Sequence, residues 1–476
     1  MKRADPIRVW LITSCICLAI LMPVCSDVLL AGEAEPAKTP GVRSISLEQA
    51  IQIALENNRT LRNSALDVSS SDLSLKTQQS EFDIKVVPQG ATRYDSADFS
   101  YWQVGATVSK KLSQGATFEV TPTTGESGGG RNSEIDVSLR IPLLQGAGAA
   151  YAMDGVYSST YSNKVQQLTF IQEQINTIMQ TVSAVYGCIR TQQQIEFLQK
   201  QLDELKKHLS LAKIKEKSGI IDAMDLYRAE IRIQDVEDEL ASTQEELANN
   251  VDEVKNLLAL SQKQPLIVSA PVSYSPVEIS LEEAQNIALA NRIELVKSTM
   301  QVKETERRVA VARNNILPQL DLELGYNNYR EEDFSDFDEE RWTVALSSES
   351  DIFRTPERND YQQSRIELQQ VQLDHQDAEE QIIQDVRFQL NSLEKQQERI
   401  RIRQEQSRQA MGKLRLAESK FRYSLANNFD LLEAQTEMQQ AQTDQMVETI
   451  NYIVGTYRLR SSLGTLIDLK GGATVN

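Results

Sequence analysis

The sequence contains few of the residues from which catalytic and metal sites are usually built. Its 476 residues include only two histidines and four cysteines, and no Cys/His pair has the spacing of metal ligands. The glycine-rich segment 125–131 lacks the Gly-Lys-Ser/Thr ending of a phosphate-binding loop. His375 falls on the apolar stripe of a predicted helix, which favours packing over ligation. We therefore expect no enzyme activity, no cofactor and no metal site.

Past its N-terminus, the chain also lacks any apolar run near the roughly 20 residues that a membrane-spanning helix needs. Lys and Arg total 50 against 68 for Asp and Glu. This acidic balance argues against a nucleic-acid partner, because phosphate binding requires clusters of basic side chains. A membrane role would have to use β-strands, whose signal in bulk hydropathy is weak.

The N-terminus has the layout of an export signal. Basic side chains precede an apolar stretch at 9–24, and Ala31 offers a small residue for cleavage. Residues 1–31 are therefore predicted to be a signal peptide and residues 32–45 a linker. A rival cleavage before Cys25 would leave a lipidated cysteine, although the residues in front of it are not the small ones that such a site prefers.

No internal disulfide is expected, even in an oxidising compartment. Three of the four cysteines lie in or beside the predicted signal peptide, which leaves Cys188 without a partner. Cys188 falls within a long apolar stripe, so we expect a buried and inert thiol; a reactive thiol is the alternative.

The most informative feature is an internal repeat at a constant offset of 234 residues. Segment 46–50, Ser-Leu-Glu-Gln-Ala, returns at 280–284 as Ser-Leu-Glu-Glu-Ala. In both copies a helix with a serine N-cap is followed by alternating segments and then by long helical stretches. The pattern predicts two structural repeats, 46–270 and 271–467, followed by a C-terminal tail, 468–476.

Unusually long helices are predicted in both halves. Apolar residues from Leu168 to Ile189 recur at alternating steps of three and four, which is typical of a coiled-coil seam. Long helix pairs are predicted at about 149–260 and about 358–464. Helices of this length must bury their stripes against each other or against other copies of the chain.

Alternating segments predict strands at about 84–143 and about 318–352. A transmembrane barrel turns the apolar face of such strands to lipid and the polar face to a watery lumen, whereas a soluble sheet with one wet face gives the same pattern. The export signal and the long helices favour the barrel, because these few strands have no partner layer of their own. Additional alternation between Trp102 and Val120 indicates an extra first-half hairpin, which either joins the barrel or caps it.

Together these segments resemble the TolC family of outer-membrane efflux proteins. The resemblance lies in the order, duplication and spacing of segment 47–57 and its repeat, Arg-Ile-Pro-Leu-Leu at 140–144, Ile-Leu-Pro-Gln-Leu at 316–320, and the end at 451–466. It implies a mainly α fold with a transmembrane β-barrel, in which a homotrimer closes one barrel in outer-membrane lipid and extends a helical tube across the periplasm. The implied function is the passive exit duct of a tripartite efflux or type I secretion system. Its implied partners are a periplasmic adaptor protein and an inner-membrane pump.

The resemblance also places candidate functional residues in the two turns between the paired helices. In the family, acidic positions of the second turn can ring the periplasmic mouth, and they match Asp430 and Glu433. The alternative is a pair of solvated acids in the first turns of a helix, where they suit the helix dipole. The tip-turn and adaptor-contact candidates are Gly219, Asp225, Arg228 and Ser424.

The sequence departs from the family at a latch between these turns. In some relatives an Asp on the first turn reaches a Tyr and an Arg on the second. Asp225 fits the first role, but Phe421 has no hydroxyl and Ala426 has no charge. Arg422, Tyr423 or Arg228 would have to substitute.

A different class of protein remains as the alternative. A periplasmic coiled-coil adaptor or structural protein that never enters the membrane explains the helices and the export signal. It does not explain two strand sets placed symmetrically between helix pairs. The exported substrate is not indicated by the sequence.

Overall fold

The structure is a computed structural model that describes residues 43–94, 100–127, 130–217, 223–331, 339–423, 425 and 428–467. The predicted signal peptide with Cys25, the predicted C-terminal tail, and the tip residues Gly219 and Ser424 lie outside the described residues.

Within the described residues, both halves of the chain follow the same order of elements, except that the first half has two more strands and one more short α-helix. The first half contains β1 (Arg43–Ser46), α1 (Leu47–Asn57), α2 (Arg59–Gln79), β2 (Ile84–Tyr94), β3 (Ser100–Lys111), β4 (Thr117–Ser127), β5 (Gly130–Pro142), α3 (Ala149–Ala152), α4 (Asp154–Lys217) and α5 (Ala223–Leu257). The second contains β6 (Leu266–Ser269), α6 (Leu281–Asn291), α7 (Ile293–Asn315), β7 (Asp321–Glu331), β8 (Glu339–Ser347), α8 (Thr355–Arg422) and α9 (Asn428–Ser462).

A serine caps the helix that follows the first strand of each half. Ser46 Oγ accepts a hydrogen bond from the backbone N–H of Gln49 at 3.3 Å, and Gln49 Oε1 accepts one from the N–H of Ser46 at 3.1 Å. Ser280 Oγ accepts a hydrogen bond from the N–H of Glu283 at 3.2 Å. These bonds satisfy backbone donors that the start of a helix leaves free.

Each short helix is separated from its successor by a single residue. Asn58 lies between α1 and α2, where its side-chain oxygen accepts hydrogen bonds from the N–H groups of Thr60 and Leu61 at 2.8 and 3.2 Å. Arg292 lies between α6 and α7 and makes no side-chain cap; its guanidinium donates to Asp385 at 3.3 Å. The break between the two helices is therefore stabilised by a side-chain cap in the first half and by an ion pair in the second.

The long helices pack along the seam that the sequence predicts. Ile178, Val182 and Val185 of α4 are 0% exposed, and their cluster includes residues of α1, of α9 and of the small parallel sheet β1–β6. Cys188 lies in the same cluster, and burial raises the pKa of its thiol to about 12. Helix α8 has 68 residues and extends for about 100 Å at ~1.5 Å per residue. Among the described residues, no helix combines the length and apolarity needed to cross a membrane.

Six of the described strands form one antiparallel sheet in the order β2-β3-β4-β5-β7-β8. Strand β5 of the first half pairs with β7 of the second, so the two halves share this sheet. The extra first-half hairpin consists of β3 and β4. It lies inside the sheet, because β3 pairs with β2 and β4 pairs with β5.

The turn between β3 and β4 is held against the start of the helical part. Gly115 in this turn has φ +100°, a left-handed conformation that favours glycine. A Cβ atom there would lie 2.8 Å from the carbonyl oxygen of Gly146. The N–H of Gly148 also donates to the carbonyl of Gln114 at 3.0 Å. The hairpin is therefore fixed at its base as well as along both sides.

Candidate functional site

One face of the six-stranded sheet carries an apolar band that crosses all six strands. One row of paired residues crosses all six strands: Val86, Val108, Val120, Val137, Tyr326 and Trp342. A neighbouring row on the same face contains one charged residue: Ile84, Lys110, Phe118, Leu139, Leu324 and Val344. Lys110 directs its ammonium to the backbone carbonyl of Phe82 at the base of the sheet. Lys110 is therefore the only charged residue in these two rows, and its ammonium lies at the base of the sheet.

The opposite face of the sheet is polar. The row between the two apolar rows consists of Lys85, Ser109, Glu119, Ser138, Gly325 and Thr343. On this face Arg140 forms an ion pair with Glu323 at 3.0 Å, and Asn327 donates to Glu134 at 2.6 Å. Successive residues of a strand point to opposite faces, so the alternation of the sequence produces this division.

Large apolar side chains of the sheet are exposed in the single chain. Trp342 is 77% exposed and Val344 is 76% exposed. On the other edge strand, Ile84 is 67% exposed and Val86 is 62% exposed. Exposed apolar surface of this extent normally marks contact with another protein or with a membrane.

An ion cluster around the buried carboxylate of Glu304 connects α7 to the start of α4. Arg307 donates to Glu304 at 2.6 and 2.9 Å and also binds Asp154, while Arg308 donates to Glu304 at 3.3 Å. The Glu304 side chain is 7% exposed. Burial alone would raise the pKa of Glu304, but the hydrogen bonds and charges of the two arginines outweigh it and hold this pKa below its usual value.

Arg354 joins the end of β8 to the end of α7. Its backbone has φ +48°, a left-handed conformation, immediately before α8. Its guanidinium donates to the carbonyls of Asn315 and Ile316 at 3.1 and 2.9 Å, and to Ser350 Oγ at 2.6 Å. Arg354 thereby satisfies carbonyl groups that the C-terminus of α7 leaves free. Sequence reasoning missed this residue, because no motif at Arg354 indicates a contact about 40 residues away.

The second tip turn places both predicted acidic residues on the outside of its helix pair. Leu431 and Ala434 of α9 are 0% exposed and pack with α8 residues that include Phe421. Asp430 and Glu433, which alternate with them, are exposed. Phe421 thus occupies the apolar interior of the helix pair.

Lys413 of α8 lies close to the acidic residues of α9. It forms an ion pair with Glu437 at 2.8 Å. The pKa of Lys413 is raised mainly by this hydrogen bond, and the charges of Glu433 and Asp430 add to the effect. The two carboxylates therefore act electrostatically on a shared neighbour.

Arg228 and Glu433 both line an open cleft of about 690 Å³ between α5 and α9. Phe429 and Ile231, which are 52% and 58% exposed, contribute apolar surface to it. Asp225 lies in the first turn of α5, although its side chain is outside what the structure describes. In the described part of the chain, no group of His, Cys, Asp and Glu side chains could hold a metal ion.

The second half of the sequence matches a known family. Residues 285–465 match the family model for outer membrane efflux proteins. No curated protein matches the sequence significantly.

Several solved structures share the fold of the chain. The outer membrane protein VceC from Vibrio cholerae superposes with a TM-score of 0.68 and 12% identity over 88% of this chain and 96% of VceC. The CmeC outer membrane channel of Campylobacter jejuni gives 0.66 and 13% over 88% and 85% of the two chains. The MtrE outer membrane channel of Neisseria gonorrhoeae gives 0.61 and 16% over 88% of each. At these identities the likeness establishes the fold.

Proposed function

We propose that this protein, whose residues 285–465 match the family model for outer membrane efflux proteins, is the outer-membrane exit duct of a multi-part export system. The resemblance to the TolC family is confirmed by this family match and by the shared fold. Three copies of the chain form a passive, water-filled tube through the outer membrane and the periplasm. A periplasmic adaptor and an inner-membrane pump supply energy and substrate choice.

The two-faced sheet is the observation that carries this proposal. Its strands contain 9 to 13 residues, close to the ~9–11 residues with which a tilted strand crosses a bilayer. Lipid tolerates a sheet only when every backbone group is paired, so the sheet must close with further copies. The apolar rows then face lipid, and the polar row lines the lumen.

Exposed apolar stripes on the helices support assembly from several copies. On α8, Ile366 and Leu373 are 55% and 60% exposed and lie seven residues apart; Ile402 and Leu416 are 50% and 57% exposed and lie fourteen apart. A heptad spacing is that of a helix seam that packs against another helix. Neighbouring copies would cover these stripes.

The proposed duct can be distinguished from a periplasmic coiled-coil protein by fractionation. The duct should remain with outer membranes after a carbonate wash, and it should migrate as a heat-sensitive trimer in mild detergent. A protein that washes off the membrane, or that is a monomer in buffer without detergent, would contradict the proposal.

We expect Asp430 and Glu433 to set the ion preference of the periplasmic mouth. Three copies of each would gather six carboxylates, which attract cations and repel anions. Replacing Asp430 by Asn and Glu433 by Gln should lower the cation-to-anion permeability ratio by about twofold or more. Single-channel recording in planar bilayers measures this ratio.

The matched control is Glu398→Gln, which removes an exposed carboxylate about 36 Å along α8 from the tip. It should leave the permeability ratio nearly unchanged. If the permeability ratio is the same in the double variant and in the unsubstituted protein, neither acid lines the periplasmic mouth. That result would not contradict the proposed duct.

A further inference from the structure

We infer that the extra hairpin, β3 and β4, is part of the membrane wall, so that three copies of this chain close a barrel of eighteen strands. The inference rests on the proposed function, which supplies the three copies and the membrane. Beyond that function, the inference specifies which strands form the barrel wall and which strand of a neighbouring copy pairs with each edge of the sheet.

The first argument is the side-chain pattern of the hairpin itself. Val108 of β3 and Val120 of β4 continue the apolar row between Val86 and Val137. On the other face, the hydroxyls of Thr107 and Thr121 lie 3.2 Å apart. A hairpin that capped the lumen or entered it as a plug would have no need for one apolar and one polar face in register with the wall.

The second argument is the pairing of the strands. Among the described residues, β3 is the only partner of β2, and β4 is the only partner of β5 on that side. If the hairpin left the sheet, a long edge of each of these two strands would lose its hydrogen bonds. An unpaired strand edge is too costly in lipid, so β2 and β5 would then have to pair with each other, whereas in the structure each of them pairs along its length with a strand of the hairpin.

The third argument is the fixed turn at the base of the hairpin. Gly115 lies against the carbonyl of Gly146, and Gln114 accepts a hydrogen bond from Gly148. The turn is thus attached to the segment that leads from β5 into the helices. This attachment holds the hairpin at the level of the other strands.

The free edges of the sheet identify a second copy of this chain as their partner. Within the described residues, no other strand pairs with the outer edge of β2 or of β8. Strand β2 starts at the helical part, whereas β8 returns to it, so these two edges are antiparallel between adjacent copies. Six strands per copy thus allow a closed antiparallel ring, with β8 of one copy beside β2 of the next.

The strand count sets the width of the wall. Eighteen strands spaced ~4.8 Å apart and tilted by ~40° enclose a barrel about 36 Å in diameter between backbones. Omitting the hairpin would leave twelve strands and a diameter of about 24 Å by the same relation. The hairpin therefore widens the lumen by about half.

The test compares two pairs of cysteine variants in reconstituted trimers. On β4 the variants are Val120→Cys and Thr121→Cys; on β5, the reference strand, they are Val137→Cys and Asp136→Cys. Each cysteine carries a small fluorophore, and the bilayer contains lipids with a nitroxide quencher on the acyl chain. The unsubstituted protein, which retains buried Cys188, measures background labelling.

A wall hairpin requires alternation on both strands. Quenching at position 120 should exceed quenching at 121 by about threefold or more, as it does between 137 and 136. If quenching alternates on β5 but not on β4, the eighteen-stranded wall is contradicted while the proposed duct is not. Absence of alternation on both strands overturns the duct itself. If a β4 variant does not assemble, Val108→Cys and Thr107→Cys on β3 give the same comparison.

Discussion

Replacing Arg307 by Met is expected to destabilise the protein by about 3 kcal/mol per chain, because the substitution leaves a buried carboxylate without its main partner. Glu304 is 7% exposed and would keep only Arg308, whose own side chain is 49% exposed. The measurement is the urea midpoint of the detergent-solubilised protein at neutral pH. Arg308→Met is the matched control and should cost less than about 1 kcal/mol, since half-exposed ion pairs contribute little.

The pH dependence of this effect identifies its cause. In the unsubstituted protein the pKa of Glu304 is held low, so its contribution is present above the unfolded pKa and is lost as the pH falls through the folded value. Without Arg307, burial should instead raise the pKa of Glu304, and its protonation at acidic pH should restore stability. The difference between the two proteins should therefore shrink from pH 7 to about pH 4. An equal difference at both pH values would assign the loss to packing.

Replacing Val137 by Arg is expected to prevent assembly of the proposed trimer in the outer membrane. Val137 lies midway along β5 on the apolar face, and an arginine facing lipid at that depth costs about 2–4 kcal/mol per copy. The measurement is the fraction of heat-sensitive trimer in purified outer membranes.

The control for this prediction is the adjacent residue. Ser138→Arg places the same side chain on the polar face, where it should permit assembly and alter only conductance. Equal loss of trimer in both variants would mean that the two faces of β5 are not in different surroundings.

The helical part of the fold could be predicted from local pattern. The three-and-four spacing through Ile178, Val182 and Val185 determines which side of α4 is buried, and all three are 0% exposed. The serine caps are likewise local, since Ser46 and Gln49 are three residues apart. The structure differs from the predicted boundaries at two places: strand β1 begins at Arg43, inside the predicted linker 32–45, and the predicted helix from about 149 is interrupted at Met153, so that α3 ends at Ala152 and α4 begins at Asp154.

The order of the strands could not be predicted in this way. Alternation identifies the faces of each strand but does not specify its neighbours, so the pairing of β5 with β7 across the two halves was not available from the sequence. For the same reason, the place of the extra hairpin stayed open until its hydrogen-bonding partners were known.

Contacts between distant residues were the other part that sequence pattern could not supply. Arg307 and Asp154 are separated by 153 residues, and neither belongs to a recognisable motif. The tip residues are an intermediate case. Their positions followed from the family resemblance, whereas the outward direction of Asp430 and Glu433 depends on Leu431 and Ala434 filling the interior of the helix pair.

The equal lengths of α5 and α9, 35 residues each, have a consequence for how the molecule can change over evolutionary time. Each of these helices runs from a tip turn to the buried cluster that contains the small sheet β1–β6, so in the proposed trimer matched lengths would keep the tips of the six helix pairs level. If one heptad were inserted into both helices of one helix pair, the three tips of that pair in the proposed trimer would extend about 10 Å beyond the other three tips. For the rim of the proposed trimer to stay level, a change of length must therefore be made in both helix pairs of the chain together.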